Sequence, residues 1–277
     1  MQVCHTVAEI RQALAAAKRP VGLVPTMGYL HAGHLALVKQ ARRDNETVVV
    51  SIFVNPTQFG PNEDLAEYPR DMKRDLGLLE KEEVDLVFAP EVDEIYPPDF
   101  STSVQVERVT EQLEGASRPG HFRGVATVVT KLFNIVQPDR AYFGQKDAQQ
   151  LRVIRKMVHD LNLPVDIRAV PIVRENDGLA MSSRNVRLSP SEREAALVLS
   201  RALRAAEALY EDGAREAQRL RDAMRAELAR EPLAKPDYVS VADLDTLREL
   251  DTIDRRALVS LAVRVGPVRL IDNVTLG

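Results

Sequence analysis

An α/β fold is predicted, with a parallel sheet over the first two-thirds of the chain and a smaller α+β domain after it. Three observations carry the prediction. Short apolar runs alternate with amphipathic stretches of helical length up to about residue 170. Thr47-Val48-Val49-Val50-Ser51-Ile52-Phe53-Val54 is a continuous, mostly β-branched run, as expected of a strand covered on both faces. Near residue 185 the alternation gives way to two Ala/Arg/Glu-rich helical stretches and then a hairpin.

Taken in order, Thr6-x-x-Glu9 reads as a capping box opening a helix through about Ala17. Val21 to Val24 is a short strand stopped by Pro25, and His34 to about Arg43 has helical apolar spacing at Leu35, Val38 and Ala41. The Thr47–Val54 strand leads to a charged helix, about Arg70 to Glu82, and a strand at Asp85–Phe88 ended by Pro90. Val125–Val136 is helical, Arg140–Phe143 a strand, Ala148–Leu161 a helix and Val165–Val170 a strand. Strands separated by helices of 10–15 residues form βαβ units, hence a Rossmann-like parallel sheet. Ser189-Pro190-Ser191-Glu192 combines N-cap, N1 proline and N3 glutamate, and starts a helix running to about Tyr210. A second helix covers about Ala214 to Arg230. Strands follow at Tyr238–Val241, Ala257–Val265 and Val268–Ile271, the last two joined by Gly266-Pro267 as an antiparallel hairpin. The expected domains are 1–175, Rossmann-like, and 176–277, a smaller α+β lid.

Composition limits the function. The 277 residues can bury a core without staples, and 45% hydrophobic with 28% charged is ordinary for a folded protein. Thirty-seven basic against forty-one acidic side chains give −4, which argues against nucleic acid as the main partner. The single Cys4 excludes an intramolecular disulfide and a cysteine-based zinc cluster. The start has no basic-then-apolar leader and no run approaches 18 apolar residues, so no membrane is expected and cytoplasm is the expected compartment.

The chemistry-bearing segments sit at strand ends. Pro25-Thr26-Met27-Gly28-Tyr29-Leu30-His31-Ala32-Gly33-His34 follows the first expected strand and opens a helix, where unpaired N–H groups and the dipole welcome a phosphate. Gly28 and Gly33 would let the backbone approach a nucleotide, and His31 and His34 would share a face. H-x-G-H should occur by chance only about 0.004 times at this composition; the plainer alternative is a capped helix with a turn glycine. Neither a P-loop nor a G-x-G-x-x-G fingerprint is present. Asn55 and Gln58, in Phe53-Val54-Asn55-Pro56-Thr57-Gln58-Phe59, are uncharged donors that suit a small polar acid. In Gly144-Gln145-Lys146-Asp147-Ala148-Gln149-Gln150, Lys146 offers phosphate a point charge, Asp147 could cap a helix or hold a ribose hydroxyl, and Gln150 lies one turn on. Met181-Ser182-Ser183-Arg184 would form a flexible polyphosphate clamp beside the domain boundary. His121 and Arg123, in a glycine-rich loop, could reach a carboxylate or phosphate, and Asp71 and Asp75 lie on one helix face.

H-x-G-H at this place marks the adenylyl-transferring group of Rossmann-like proteins. From about Val21 to Asn273 the chain resembles the pantoate–β-alanine ligase family. The resemblance is carried by the segments just quoted, by Asp64-Leu65-Ala66-Glu67-Tyr68-Pro69-Arg70, by Asp177 to Asn185 and by Arg269-Leu270-Ile271-Asp272-Asn273. It implies ATP-dependent condensation of pantoate with β-alanine to pantothenate, AMP and pyrophosphate through a pantoyl-adenylate, with Mg²⁺ and a homodimer. By position it implies an ATP site at Met27, Gly28, His31, Gly33, His34, Gly144, Lys146, Asp147, Val173, Met181, Ser182, Ser183 and Arg184. His34 is the residue the family labels proton donor, with His31, Lys146 and Arg184 assisting. Gln58 and Gln150, joined by Asn55, would hold pantoate and β-alanine, and Asp75 would contact magnesium. A nucleotidylyltransferase, a class I synthetase and a non-catalytic nucleotide-binding dimer are the competing expectations.

Overall fold

The computed structural model describes residues 1–61 and 63–277. Six parallel strands form the larger sheet: β1 (Gln2–Cys4), β2 (Val21–Thr26), β3 (Thr47–Ile52), β4 (Leu86–Phe88), β5 (Arg140–Gly144) and β6 (Asp166–Val170), in the order β1-β4-β3-β2-β5-β6. β1 is too short to carry a periodic signal and escapes the sequence expectation. It pairs with β4 and buries Cys4 completely.

Helices cover both faces. α1 (Val7–Ala15), capped by Thr6 and Glu9 as expected, packs on one face with α6 (His121–Val136) and α7 (Ala148–Asp160). α2 (Ala32–Asp44) and α3 (Met72–Lys81) cover the other. β3 shows why its sequence is apolar throughout: Val49 joins the first layer, and Val48, Val50 and Ile52 join the second. Two one-turn helices, α4 (Val92–Ile95) and α5 (Glu114–Ser117), lie in the long connection before α6.

The smaller unit packs α8 (Pro190–Ala195), α9 (Val198–Glu211) and α10 (Ala217–Ala229) on an antiparallel sheet of β7 (Ala234–Asp243), β8 (Ala257–Val265) and β9 (Val268–Leu276). Gly266, at φ +57°, turns the β8–β9 hairpin. The single helix expected from 190 to 210 is interrupted after Ala195. β9 continues five residues past the expected Ile271, because polar Asp272 and Asn273 disguise a buried strand. No helix among the described residues is long and apolar enough to cross a membrane.

Pro25 does not end its strand. β2 runs to Thr26, pairing Pro25 with Ser51 of β3. On its other side β2 pairs with β5 only at Gly22 and Leu23. Pro25, with no N–H to donate, therefore lies beyond the point where β2 and β5 part. This is also where the strand order reverses, so a crevice opens at the carboxyl ends of the two strands.

Candidate active site

The floor of the crevice is built by the residues after β2. Thr26 Oγ1 donates to Ser51 O at 2.7 Å and accepts from the Gly28 N–H at 3.2 Å. Gly28 has φ +82°, and a Cβ there would come within 3.0 Å of Ile52 and 3.2 Å of Asp75. The loop is gripped from α3: Asp75 is 1% exposed, and its two oxygens accept from Tyr29 N (2.7 Å) and Leu30 N (2.8 Å). Asp75, expected as a magnesium contact, thus has both oxygens on the loop backbone and is not among the residues that line the crevice. Burial raises its carboxyl pKa against the opposing pull of those N–H donors.

At the start of α2 two histidines perform the reciprocal capping usually done by Ser/Thr and Glu/Gln. His31 Nδ1 accepts from Gly33 N at 3.1 Å, and His34 Nδ1 accepts from His31 N at 3.3 Å. The rings lie 4.1 Å apart, centroid to centroid, at 32°. A Cβ at Gly33 would sit 2.8 Å from the His31 ring, so a larger residue here would have to displace that ring. Burial, reinforced by the Lys146 ammonium, pushes His31 down to about 4. Burial and then the His31 ring push His34 down to about 3. Both rings are neutral near pH 7. Because each Nδ1 accepts a backbone N–H, each ring proton resides on Nε2. The helix mouth thus offers two neutral N–H donors.

A carboxamide relay defines the neighbouring recess. Asn55 Oδ1 accepts from Thr57 N (3.3 Å), Thr57 Oγ1 (2.9 Å) and the Tyr96 hydroxyl (2.9 Å). Its Nδ2 must then point the other way, donating to Gly124 O and to Gln58 Oε1, each at 3.1 Å. Gln58 is left with its Nε2 against the Met27 sulfur at 3.1 Å, a weak acceptor that a substrate oxygen can displace. Asn55, expected as a binding residue, lines the crevice but has both ends of its amide engaged: Oδ1 by Thr57 and Tyr96, Nδ2 by Gly124 O and by Gln58, which it orients. Tyr96 is a contributor that sequence reading missed. His121 Nδ1 donates to Gln58 O at 2.8 Å, and burial pushes this imidazole down to about 4. Arg123 is exposed and does not line the crevice.

The opposite wall comes from β5 and the segment after β6. Gly144 ends β5, a 3₁₀ turn carries Lys146, and α7 brings Gln150 to the crevice. Lys146 has no carboxylate within ion-pairing distance among the described residues. Asp147 stands at the N-cap of α7 without a side-chain capping bond, so its carboxylate stays available. Val173 O accepts from Met181 N at 3.0 Å, and Ser182 Oγ from Arg184 N at 3.2 Å.

Arg184 differs from the expectation of a free full charge. It makes a two-pronged bond to Asp64, 3.0 Å on each prong, and Arg187 shares the same carboxylate at 2.5 Å. Tyr68 OH and Ser183 Oγ, 3.2 Å apart, join the same two segments, as Arg118 and Glu63 (2.6 Å) tie the 60s to the α6 loop.

Apart from Gly28, Asp75 and the more loosely expected Arg123 and Asp71, the residues expected at the site line the crevice. Its volume is about 220 Å³, and a neighbouring chamber of about 750 Å³ shares Lys146, Gln150 and Arg184 with it. β9 closes that chamber. Arg269 forks onto Glu114 at 2.7 and 2.8 Å, and Asp272 receives Arg174 at 2.6 and 2.9 Å. Among the described residues no three His, Cys, Asp or Glu side chains cluster to hold a metal ion. Magnesium commonly keeps its waters and binds through one or two carboxylates together with substrate phosphates, so an ion carried on triphosphate oxygens requires no such cluster.

A strand-order reversal, a helix mouth with two neutral imidazole donors, a lysine without an ion-pair partner among the described residues and a carboxamide recess thus meet at one crevice. The family model described as pantoate-beta-alanine ligase matches residues 2–275. The chain belongs to the pantoate-beta-alanine ligase family. It is 64% identical over 276 residues to the pantothenate synthetase of Roseiflexus sp. (strain RS-1), covering 100% of this chain and 99% of that protein. The crystal structure of pantothenate synthetase from Thermus thermophilus superposes with TM-score 0.95 at 52% identity, covering 99% of each chain. That of the Francisella tularensis pantoate-beta-alanine ligase, complexed with beta-gamma ATP and beta-alanine, gives TM-score 0.81 at 34% identity, covering 99% of this chain and 97% of that one.

Proposed function

We propose that this ligase condenses pantoate with β-alanine in two steps at the β2/β5 crevice, with ATP activating the acid. A pantoate carboxylate oxygen attacks the α-phosphorus, forming an O–P bond as the bond to the bridging oxygen breaks and pyrophosphate departs. The neutral amine of β-alanine then attacks the acyl carbon. The C–O bond to AMP breaks, the amine loses its proton, and pantothenate and AMP are released.

One observation carries this reading: neutral N–H donors, a free ammonium and an oriented carboxamide donor converge on one crevice. Such a set suits positioning and charge neutralisation, and the reaction needs no protein nucleophile. The Nε2–H groups of His31 and His34 and the Lys146 ammonium would meet the triphosphate oxygens, with Met27, Gly33 and Gly144 shaping the floor. Asp147, the backbone of Val173 and Met181 to Ser183 would hold the nucleoside and its phosphates, and Arg184 would exchange Asp64 for a phosphate. Gln58 and Gln150 would hold pantoate, Asn55 acting through Gln58. His34 serves here as a hydrogen-bond donor, since a ring with a pKa of about 3 carries no second proton to give in the free crevice. Magnesium enters as ATP's companion. A homodimer and a cytoplasmic location belong to the same proposal and rest on the family resemblance, with the reduced, buried Cys4 in keeping with the latter.

The test is isotope exchange between pyrophosphate and ATP. Exchange should require pantoate and proceed without β-alanine, and adding β-alanine should then release amide and AMP in equal amounts. Exchange that needs β-alanine would mean that no acyl-adenylate forms first and would overturn the two-step order.

A further inference from the structure

We infer that Asn273, on β9 of the smaller domain, is the positioning residue for Lys146; the inference rests on Lys146 acting in adenylation as proposed above. Asn273 is 3% exposed. Its Nδ2 donates to Gln145 O at 3.1 Å and to Lys146 O at 2.9 Å, gripping two successive carbonyls of the turn that carries the ammonium. Both partners are carbonyls, so the amide orientation is fixed by them.

Among the described residues no side-chain cap holds the turn. It is a three-residue 3₁₀ helix, Gln145–Asp147, in which neither Gly144 before it nor Asp147 at the start of α7 makes a side-chain capping bond. A turn without local caps takes its geometry from whatever binds its carbonyls. Asn273 is itself immobilised. Its backbone N–H donates to Asp272 Oδ1 at 2.8 Å, and that carboxylate is locked to Arg174. The smaller domain thus contributes to adenylation by fixing a wall of the other domain's crevice, in addition to covering it.

Lys146 needs such a mount because an ammonium that must meet a phosphoryl group as charge builds loses its effect when displaced by about 1 Å, at a cost of up to about 10²-fold. Ser260, opposite Asn273 on β8, is also buried, and its hydroxyl makes no hydrogen bond among the described residues, so it serves as a packing control.

The experiment measures pantoate-dependent ATP–pyrophosphate exchange in Asn273→Asp, Lys146→Ala, the double variant and Ser260→Ala. Asn273→Asp keeps the size but sets a carboxylate against two carbonyl oxygens. It should lower the exchange rate about 10- to 10²-fold, with the deficit shrinking from pH 8 to pH 6 as protonation restores one donor. In the Lys146→Ala background the same change should cost less than about twofold, since coupled residues do not add. Ser260→Ala should stay within about twofold of wild type. Should Asn273→Asp fail to fold, Asn273→Ala gives the same coupling readout. Wild-type exchange in the Asn273 variant, or losses that multiply in the double variant, overturns the inference. Wild-type exchange in Lys146→Ala overturns the reading of Lys146, and this inference with it.

Discussion

Lys146→Ala should lower pantoate-dependent ATP–pyrophosphate exchange by about 10²-fold or more while the protein stays folded. Lys146 is half-buried at the crevice wall and has no ion-pair partner among the described residues, so its removal leaves no orphaned carboxylate. Its ammonium also depresses both histidines, which places its charge close to the two imidazoles. A group so near the helix mouth is worth most when negative charge moves onto the departing pyrophosphate, which predicts a loss in rate rather than in folding. The check pairs exchange kinetics with thermal unfolding. A near-wild-type rate would remove Lys146 from the chemistry.

His34→Ala should cost a similar factor, about 10²-fold or more in adenylation, together with about 1 kcal/mol of stability for the lost cap on His31 N. The two effects separate with His34→Gln, because Gln is a natural N3 capping residue and can still donate a hydrogen bond. That variant should recover the stability and part of the rate. The pH dependence adds a sign. With His31 and His34 at about 4 and about 3, neither imidazole titrates between pH 5 and pH 8 in the free enzyme. The profile of kcat/KM for ATP should therefore show no step from them in that range, since it reports free-enzyme ionisations. If a protonated histidine were required, kcat/KM would instead climb as pH falls from 8 toward 6.

Much of this was legible in the sequence because the larger domain obeys simple rules. The β-branched run of β3, the capping box of α1 and the Ser189-Pro190 start of α8 each follow from one local preference, and H-x-G-H after β2 located the crevice. The misses have physical causes. Pro25 reads as a strand end, yet β2 has already lost β5 at that point, so no hydrogen bond is missing. Asp272 and Asn273 break the apolar pattern of β9 although both are buried, because on opposite faces of the strand one holds Arg174 and the other the Lys146 turn. Asp75 looks like a ligand from its charge alone. Only the distances to Tyr29 N and Leu30 N reveal that it shapes the loop. Likewise no spacing links Tyr96 to Asn55, 41 residues away, or Asp64 to Arg184, 120 away. Such contacts are set by tertiary packing, and local propensity carries no trace of them.

The most direct test follows an oxygen atom. Pantoate labelled with ¹⁸O in its carboxylate is turned over with ATP and β-alanine, and the products are separated and weighed by mass spectrometry. Attack on the α-phosphorus predicts one labelled oxygen in the phosphate of AMP for each pantothenate formed. Label in inorganic phosphate or pyrophosphate, or AMP without label, would contradict activation of the acid as an adenylate.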